Sequence, residues 1–374
     1  MKIEAAVVRN SDDPMTIEAL DLEEPRAGEV RVAVVAVGIC HTDMGMWKQE
    51  LPVPQPVVLG HEGAGTVEAT GAGVTKVKPG DRVAMTFNSC GYCPSCVDHD
   101  ISYCHEFFPR NFFGTRSDGS SALSLRGEPV HGNIFGQSSF ASHALCHERN
   151  VVRLPDDMPL DLAGPLGCGI LTGAGAVMNA LRVAPGQSIA ILGAGSVGLS
   201  AVMAAKLVGA GPIIAIDRNT ERLALARELG ATHAIALDAI DQADPLVRAL
   251  LPNGVDHVLD CTGVPALITQ AVAMLAPRGV CGIVGASAMG SRLDADLVHV
   301  MSGGRTIRGI VEGDANPDAF IPLLARLYLD GRFPFDRLVR FYPFAQINEA
   351  FADAAEGRAI KPILRMAGTL SEGA

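Results

Sequence analysis

The chain predicts two domains, a β-rich one first and then an α/β one built on a doubly wound parallel sheet. Its 374 residues exceed what one hydrophobic core ordinarily organises. Up to about residue 165 the sequence is rich in Gly, Pro and Val in short runs, which reads as strands joined by loops that carry function. From about 170 to 310, continuous apolar runs alternate with helical stretches, the pattern of strands covered on both faces.

In the first part VRVAVVAVGIC, GAGTVEATG and DRVAM each read as a strand with Gly or Pro near its ends. In the second, SIAILGAG, GPIIAID, ATHAIAL, VDHVLDCTG and GVCGIVGA read as strands and TERLALARELG as a helix. Past about residue 313 the spacing predicts a helix over 317–329, ahead of the tail FPFDRLVRFYPFAQINEAFADAAEGRAIKPIL.

Composition narrows the function. With 48% apolar and only 19% charged residues, wholesale disorder is excluded. Thirty Lys and Arg against 41 Asp and Glu give a net charge of −11, and no basic run argues for a nucleic-acid partner. The start, MKIEAAVVRN, has neither the apolar core nor the cleavage pattern of a secretory signal, so nine cysteines imply reduced thiols and a cytoplasmic location. Two uncharged stretches, 163–181 and 183–205, are long enough to imitate membrane spans. Both are dense in Gly, and the second reads better as a strand, a tight loop and a helix start, so no membrane partner is expected.

The segment from Ser188 to Gly198, SIAILGAGSVG, runs as strand, Gly-rich turn and helix start. Gly193 allows the tight turn, Gly195 lets the backbone approach a pyrophosphate, and Gly198 lets helix and strand pack closely. Ser196 and Val197 complete a turn whose N–H groups and positive helix end meet phosphates. The next strand ends at Asp217, where a carboxylate accepts hydrogen bonds from both ribose hydroxyls and repels a 2′-phosphate. NAD is the expected cofactor, while the neighbouring Arg218 and Arg222 are residues of the kind that tolerate NADP.

Cys90, Cys93, Cys96 and Cys104 place four soft ligands in one short lobe, about residues 88–106. Four thiolates match a closed, structural zinc site that pins a loop with little core of its own. The spacing alone also admits an iron–sulfur cluster or no metal; the company of a nucleotide fold and a second metal set favours zinc. That second set is scattered: Cys40 in GICHTD, His61 in LGHEGAG followed by Glu62, and Cys168 in PLGCGILTGAG. Two thiolates and an imidazole suit zinc with one position left open. Residue by residue each also has an ordinary reading, a cysteine as a small buried hydrophobe and a histidine as a packed side chain.

GICHTD, LGHEGAGTVEATGAGVTKVKPGDRV, the four-cysteine spacing, PLGCGILTGAG and LGAGSVGLSAV occur in the order of the zinc-containing medium-chain alcohol dehydrogenases, and the chain resembles that family over essentially its whole length. The resemblance implies a GroES-like catalytic domain from residues 1–169 and 313–374, a Rossmann NAD-binding domain over 170–312, and two zinc ions per chain. By the same resemblance Cys40, His61 and Cys168 look like the catalytic zinc ligands, and Glu62 like the carboxylate that approaches the metal when ligands exchange. Asp43 looks like the acid that orients the imidazole, and Thr42 like the hydroxyl that takes the alcohol's proton. His41 falls where the family faces the cofactor phosphates, Thr172 beside the nicotinamide, Arg222 near the adenosine ribose and Lys361 near the pyrophosphate. One departure stands out. Many members carry a histidine that ends the proton relay, but here the region reads Met44-Gly45-Met46, and Gly45 has no group to carry a proton. That leaves the relay to run from Thr42 to a ribose hydroxyl and then to water or another base. The family also implies a homo-dimer or homo-tetramer joined through its Rossmann sheets.

Within the family, FNSCGYCPSC, GNIFGQSSFASHAL, VEGDANPDAFIP and FPFDRLVRFYPFAQINEAF resemble the bacterial benzyl (aryl) alcohol dehydrogenases and related allylic terpene alcohol dehydrogenases. The resemblance implies reversible oxidation of a primary benzylic or allylic alcohol to its aldehyde with NAD. Trp47, Phe87 and Phe140 are candidate flat walls for a ring, with ordinary core as their other reading. Aliphatic alcohols, and glutathione-dependent formaldehyde oxidation on the same scaffold, are alternatives. A zinc-free quinone reductase would not need both cysteine sets, and a non-enzymatic NAD-binding redox sensor could lose the catalytic ligands that are present here. Cys146, Cys261 and Cys281 sit in apolar contexts and read as packing residues.

Overall fold

The computed structural model describes residues 1–366. The chain divides into two compact units: Met1–Cys168 with Asn316–Asp330 and the chain from Phe335 onward, and Gly169–Ala315 with Gly331–Pro334.

The first unit is built on two sheets. One has five strands in the order Val57–Val58, Lys2–Val8, Thr16–Leu22, Leu123–Leu125, Glu128–Val130. The other centres on Glu29–Gly38, which pairs antiparallel with Glu62–Thr70, His143–His147 and Lys361–Arg365. Along 29–35 the fully buried positions alternate, so Val30, Val32 and Val34 enter the core while their neighbours are only half-buried. Registers opposing Gly38 to both Glu62 and Ile363 bring the ends of three sequence-distant strands together, the ends that carry Cys40, His61 and Lys361.

All three candidate ring walls belong to this core, Phe87 and Phe140 buried within it and Trp47 packed against it. Trp47 and Phe140 both stand edge-on to Phe351 with ring centroids 5.7 Å apart, and Phe140 is fully buried. Phe87 packs against Phe107 at 5.8 Å. Burial pushes the Cys146 thiol up to about 12, as it does that of Cys281 in the second unit, so both are inert packing residues.

The second unit carries a six-stranded parallel sheet in the order His233–Ala236, Ile213–Asp217, Ile189–Leu192, Val255–Asp260, Leu275–Ile283, Thr306–Gly309. The chain starts in the middle, winds outward to one edge, then returns beside its first strand and winds to the other. This order makes a switch point between Ile189–Leu192 and Val255–Asp260, where open α/β sheets bind ligands. The mainly antiparallel sheets of the first unit and this parallel sheet are the β-rich and doubly wound halves expected from the sequence.

The stretch 163–181 breaks into a 3-10 turn Gly164–Gly167, an α-helix Gly169–Gly175 and a π-helical turn Ala176–Ala180. The stretch 183–205 holds the strand Ile189–Leu192 and most of the helix Ser196–Leu207. Among the described residues no helix is long and apolar enough to cross a membrane. Several elements went unpredicted, among them the strands Lys2–Val8 and Thr16–Leu22 and the helices Ala243–Leu250 and Pro265–Ala273; two others show why. Thr306–Gly309 is a short edge strand with two exposed residues, so no apolar run marks it. The helix Ile347–Ala355 buries Ile347, Ala350, Phe351 and Ala354 at true helical spacing, a signal obscured by the Pro and Phe just before it.

Candidate active site

The strand Glu29–Gly38 delivers Cys40 to the N-cap of the helix His41–Trp47. Asp43, one turn on, reaches back: its Oδ2 accepts the Cys40 N–H at 3.1 Å. Its other oxygen, Oδ1, accepts the Gly60 N–H at 3.2 Å and lies 2.9 Å from His61 Nδ1. One buried carboxylate thus ties together the helix start, the chain before His61 and the imidazole edge. Gly60 must be glycine, because its φ is +95° and a Cβ would approach Phe140 N to 2.4 Å.

With Nδ1 taken by Asp43, His61 Nε2 is buried and has no hydrogen-bond partner. An orphaned polar atom of this kind calls for a ligand. Around it, one ligand atom each from Cys40, His61, Glu62 and Cys168 lies within 4.8 Å of every other. Cys168 comes from the end of the turn Gly164–Gly167, which Thr86 Oγ1 holds by donating to the Gly167 carbonyl at 2.7 Å. The hydrogen bond from the Cys168 thiol holds the Cys40 thiol well below its ordinary range against burial, with His61 and Lys361 adding to the effect. Burial works against a charged His61, but the Asp43 carboxylate and the Cys40 sulfur outweigh it and raise the imidazole well above its usual value. Two sulfurs, a bare imidazole nitrogen and a close carboxylate form a donor set that fits zinc with an exchangeable position.

Glu62 and Lys361 form a fully buried pair. The ammonium donates to Oε1 at 2.9 Å and Oε2 at 2.8 Å, and to the Ile39 carbonyl at 3.1 Å. Burial raises the Glu62 carboxyl, and the Lys361 charge opposes it. The carboxylate fits only because residue 38 is glycine: a Cβ there would lie 2.1 Å from Glu62 Oε2. The partners of Lys361 are thus a carboxylate and a carbonyl in its own unit. Nearby, Thr42 is half-buried with its Oγ1 3.9 Å from the Cys40 sulfur, His41 is exposed at the first position of its helix, and Gly45 is buried.

Sequence reasoning missed two residues here. Gln137 Nε2 donates to the His61 carbonyl at 2.8 Å, and its Oε1 accepts the Gly63 N–H at 3.1 Å. Phe135 lays its ring on the His61 imidazole, with centroids 4.5 Å apart and planes 26° apart. Its backbone is left-handed at φ 49°, ψ 31°, which costs a non-glycine residue about 1–2 kcal/mol. Asn133 and Gly136, both types that tolerate that conformation, were the only sequence hint.

The sulfurs of Cys90, Cys93, Cys96 and Cys104 also lie within 4.8 Å of one another. Backbone N–H groups converge on them: Cys93 on Cys90 at 3.2 Å, Cys90 on Cys104 at 3.2 Å, Glu106 on Cys104 at 3.4 Å and His105 on Cys93 at 3.5 Å. The His105 N–H brings the Cys93 thiol down to about 6, while burial pushes Cys104 up to about 12. Four gathered sulfurs served by N–H donors fit a closed tetrahedral metal site.

In the second unit Gly193, at φ +93°, turns the chain as its N–H donates to the Ile216 carbonyl at 2.8 Å. Gly198 crosses so close that a Cβ would come within 1.8 Å of the Gly193 oxygen. Gly195 caps the helix Ser196–Leu207, and nothing lies within 4 Å of where its Cβ would be. That open space faces the helix start, where N–H groups lack intrahelical acceptors, and suits a pyrophosphate. Asp217 braces the same turn: Oδ2 accepts the Ala194 N–H at 2.6 Å and Oδ1 the Asn219 N–H at 2.8 Å. Arg222 is half-buried in the first turn of the helix Thr220–Leu229. Thr172 lies apart from this turn in sequence; its hydroxyl donates to Glu312 Oε2 at 3.2 Å, and Glu312, Gly313 and Asp314 are all left-handed, at φ 49°, 64° and 49°.

Comparison with known proteins agrees with this geometry. Residues 26–156 match the alcohol dehydrogenase GroES-like domain, and residues 196–328 match the zinc-binding dehydrogenase domain. The geraniol dehydrogenase of Castellaniella defragrans is 47% identical over 362 residues, covering 96% of this chain and 97% of its own. Among solved structures, an alcohol dehydrogenase zinc-binding domain protein from Burkholderia ambifaria superposes with a TM-score of 0.94 at 51% identity, over 98% of this chain and 99% of its own. The benzyl alcohol dehydrogenase of Acinetobacter calcoaceticus does so with a TM-score of 0.94 at 45% identity, over 98% of this chain and 100% of its own. The chain belongs to the zinc-containing medium-chain alcohol dehydrogenases, and it is an alcohol dehydrogenase that uses zinc and a nicotinamide cofactor.

Proposed function

From that membership we propose that the enzyme oxidises a primary benzylic or allylic alcohol to its aldehyde, reversibly, with NAD as hydride acceptor and two zinc ions per chain. The observation that carries the reading is the convergence of Cys40, His61 and Cys168 around a buried imidazole nitrogen that has no other partner. Two relatives, named for geraniol and benzyl alcohol, act on primary alcohols whose carbinol carbon is attached to an unsaturated carbon, which supports the substrate class.

When bound, zinc supplies Lewis acidity to the substrate oxygen, and the nicotinamide accepts the hydride. The chain's own residues do the rest. Asp43 fixes the His61 tautomer and edge through the 2.9 Å contact at Nδ1. Thr42 takes the proton of the alcohol hydroxyl and passes it toward a ribose hydroxyl and water, because Gly45 offers no acceptor. Glu62, held by Lys361, would offer the bound metal an exchangeable carboxylate beside the three ligands. Gly193, Gly195, Ser196, Val197 and Gly198 would cradle the pyrophosphate, and His41 and Thr172 would be further cofactor contacts. Cys90, Cys93, Cys96 and Cys104 hold the structural ion.

A substrate panel tests the reading. Benzyl, cinnamyl and geranyl alcohols are expected to exceed ethanol in kcat/KM by at least about a hundredfold; a faster ethanol or secondary alcohol would refute the substrate class.

Asp217 and Arg222 read the adenosine ribose. Asp217→Ala is expected to lower kcat/KM with NAD by about 10- to 100-fold, the worth of a charged hydrogen bond, and to move the NAD-to-NADP ratio toward NADP by at least about tenfold. An unchanged ratio would remove Asp217 from cofactor choice.

Assembly as a homo-dimer or homo-tetramer completes the proposal. Thr306–Gly309 is an edge strand, and the preceding helix exposes Leu297, Val298 and Met301 at 79%, 66% and 74%. Nine cysteines, none of them in a disulfide, suit the reducing cytoplasm.

A further inference from the structure

We propose that Phe135 is a positioning residue, held in a strained turn, that fixes the plane of the His61 imidazole and so aims Nε2 at the metal. The proposal rests on Cys40, His61 and Cys168 being metal ligands. The Asp43 contact holds the ring at Nδ1 and does not by itself fix the ring's plane. Gln137 holds only the backbone carbonyl of His61. The Phe135 ring, stacked at 4.5 Å and 26°, covers one face of the imidazole and opposes tilting, because a tilt toward it drives imidazole atoms into its face.

The turn is built to keep Phe135 there. Asn133, Phe135, Gly136 and Ser138 all have positive φ, at 63°, 49°, 67° and 50°. Asn150 Nδ2 donates to the Phe135 carbonyl at 3.2 Å. Ser138 Oγ donates to the Val58 carbonyl at 2.6 Å and accepts the Ile134 N–H at 2.9 Å. Phe112 and Phe107 stand edge-on to the Phe135 ring at 5.1 Å and 6.4 Å. A phenylalanine kept in a backbone conformation it disfavours, on a buried turn tied at this many points, persists when the surroundings demand that ring in that place.

Zinc release from the holoenzyme into a colorimetric chelator tests this without reference to turnover. The phase belonging to the inner site is the one missing in Cys168→Ala. In Phe135→Leu that phase is expected to quicken by about tenfold or more, the usual effect of losing a contact that orients a ligand, while the four-cysteine phase stays unchanged. Phe135→Gly suits the left-handed backbone, so it should unfold at a higher temperature than Phe135→Ala yet release inner zinc just as fast. Phe351→Leu, which removes a buried ring away from His61, should leave release unchanged. Inner release within twofold of wild type in both Phe135→Leu and Phe135→Gly would overturn the proposal. A Cys168→Ala protein that retains both release phases would instead overturn the ligand assignment, and the proposal with it.

Discussion

Cys168→Ala is expected to lower kcat/KM for the best alcohol by at least about a thousandfold, the loss of roughly 4 kcal/mol of transition-state stabilisation that a Lewis acid ordinarily supplies. Bound zinc should fall from two ions per chain to one. The fold has little reason to suffer. The backbone at Cys168 is set by its neighbours: its N–H donates to the Pro165 carbonyl at 3.3 Å, and Thr86 holds the Gly167 carbonyl. Gly167 is wedged so tightly that a Cβ would reach 1.9 Å from the Met85 oxygen. None of these contacts uses the thiol. Removing it leaves Cys40 and His61 with only the Glu62 carboxylate, which Lys361 already holds, in place of the two-thiolate set that suits zinc. Circular dichroism and the melting temperature should therefore stay near wild type while activity and one zinc disappear together. Undiminished turnover, or two zincs per purified chain, would refute the ligand set.

The cofactor turn was legible in the sequence because everything it needs is local. Gly193, Gly195, Gly198 and Asp217 sit within two strands and one helix, and apolar runs announce those elements. The inner metal cluster was legible only through family resemblance. Cys40, His61 and Cys168 come from three separate places: the register that brings Cys40 beside His61 is decided by pairing across a sheet, and Cys168 arrives on a turn pinned by Thr86. Lys361 shows the same limit: 299 residues separate it from Glu62, and nothing near GRAIKPIL announces a buried carboxylate partner. Aromatic residues were the poorest guide. Trp47 and Phe140 read equally as pocket walls and as core in the sequence, and their edge contacts with Phe351, contributed by a helix near the end of the chain, were not legible there. Phe135, which does meet His61, lies in a turn whose left-handed backbone no composition or periodicity reports.

Cys104→Ala should act in the opposite sense, on stability. The four-cysteine lobe contains only the short helix Pro94–Val97 and the 3-10 turn Ile101–Tyr103, and its apolar support is Ile101 and Phe107. Tyr92 and Val97 point outward at 66% and 64% exposure, so hydrophobic burial contributes little to order there. The backbone N–H groups of Cys90 and Glu106 are aimed at the Cys104 sulfur and lose their acceptor when it is removed. Metal binding by thiolates in zinc-finger peptides is worth about 10–16 kcal/mol at neutral pH. Even a third of that, lost from a unit of this size, should lower the melting temperature by about 10 °C or more. Zinc should fall to one ion per chain, and that remaining ion should be the inner one, so that turnover at low temperature falls far less than in Cys168→Ala. A melting temperature within about 2 °C of wild type, a shift worth roughly 1 kcal/mol or less, would show that the lobe stands without its metal. The four sulfurs would then have to be explained by something other than structure.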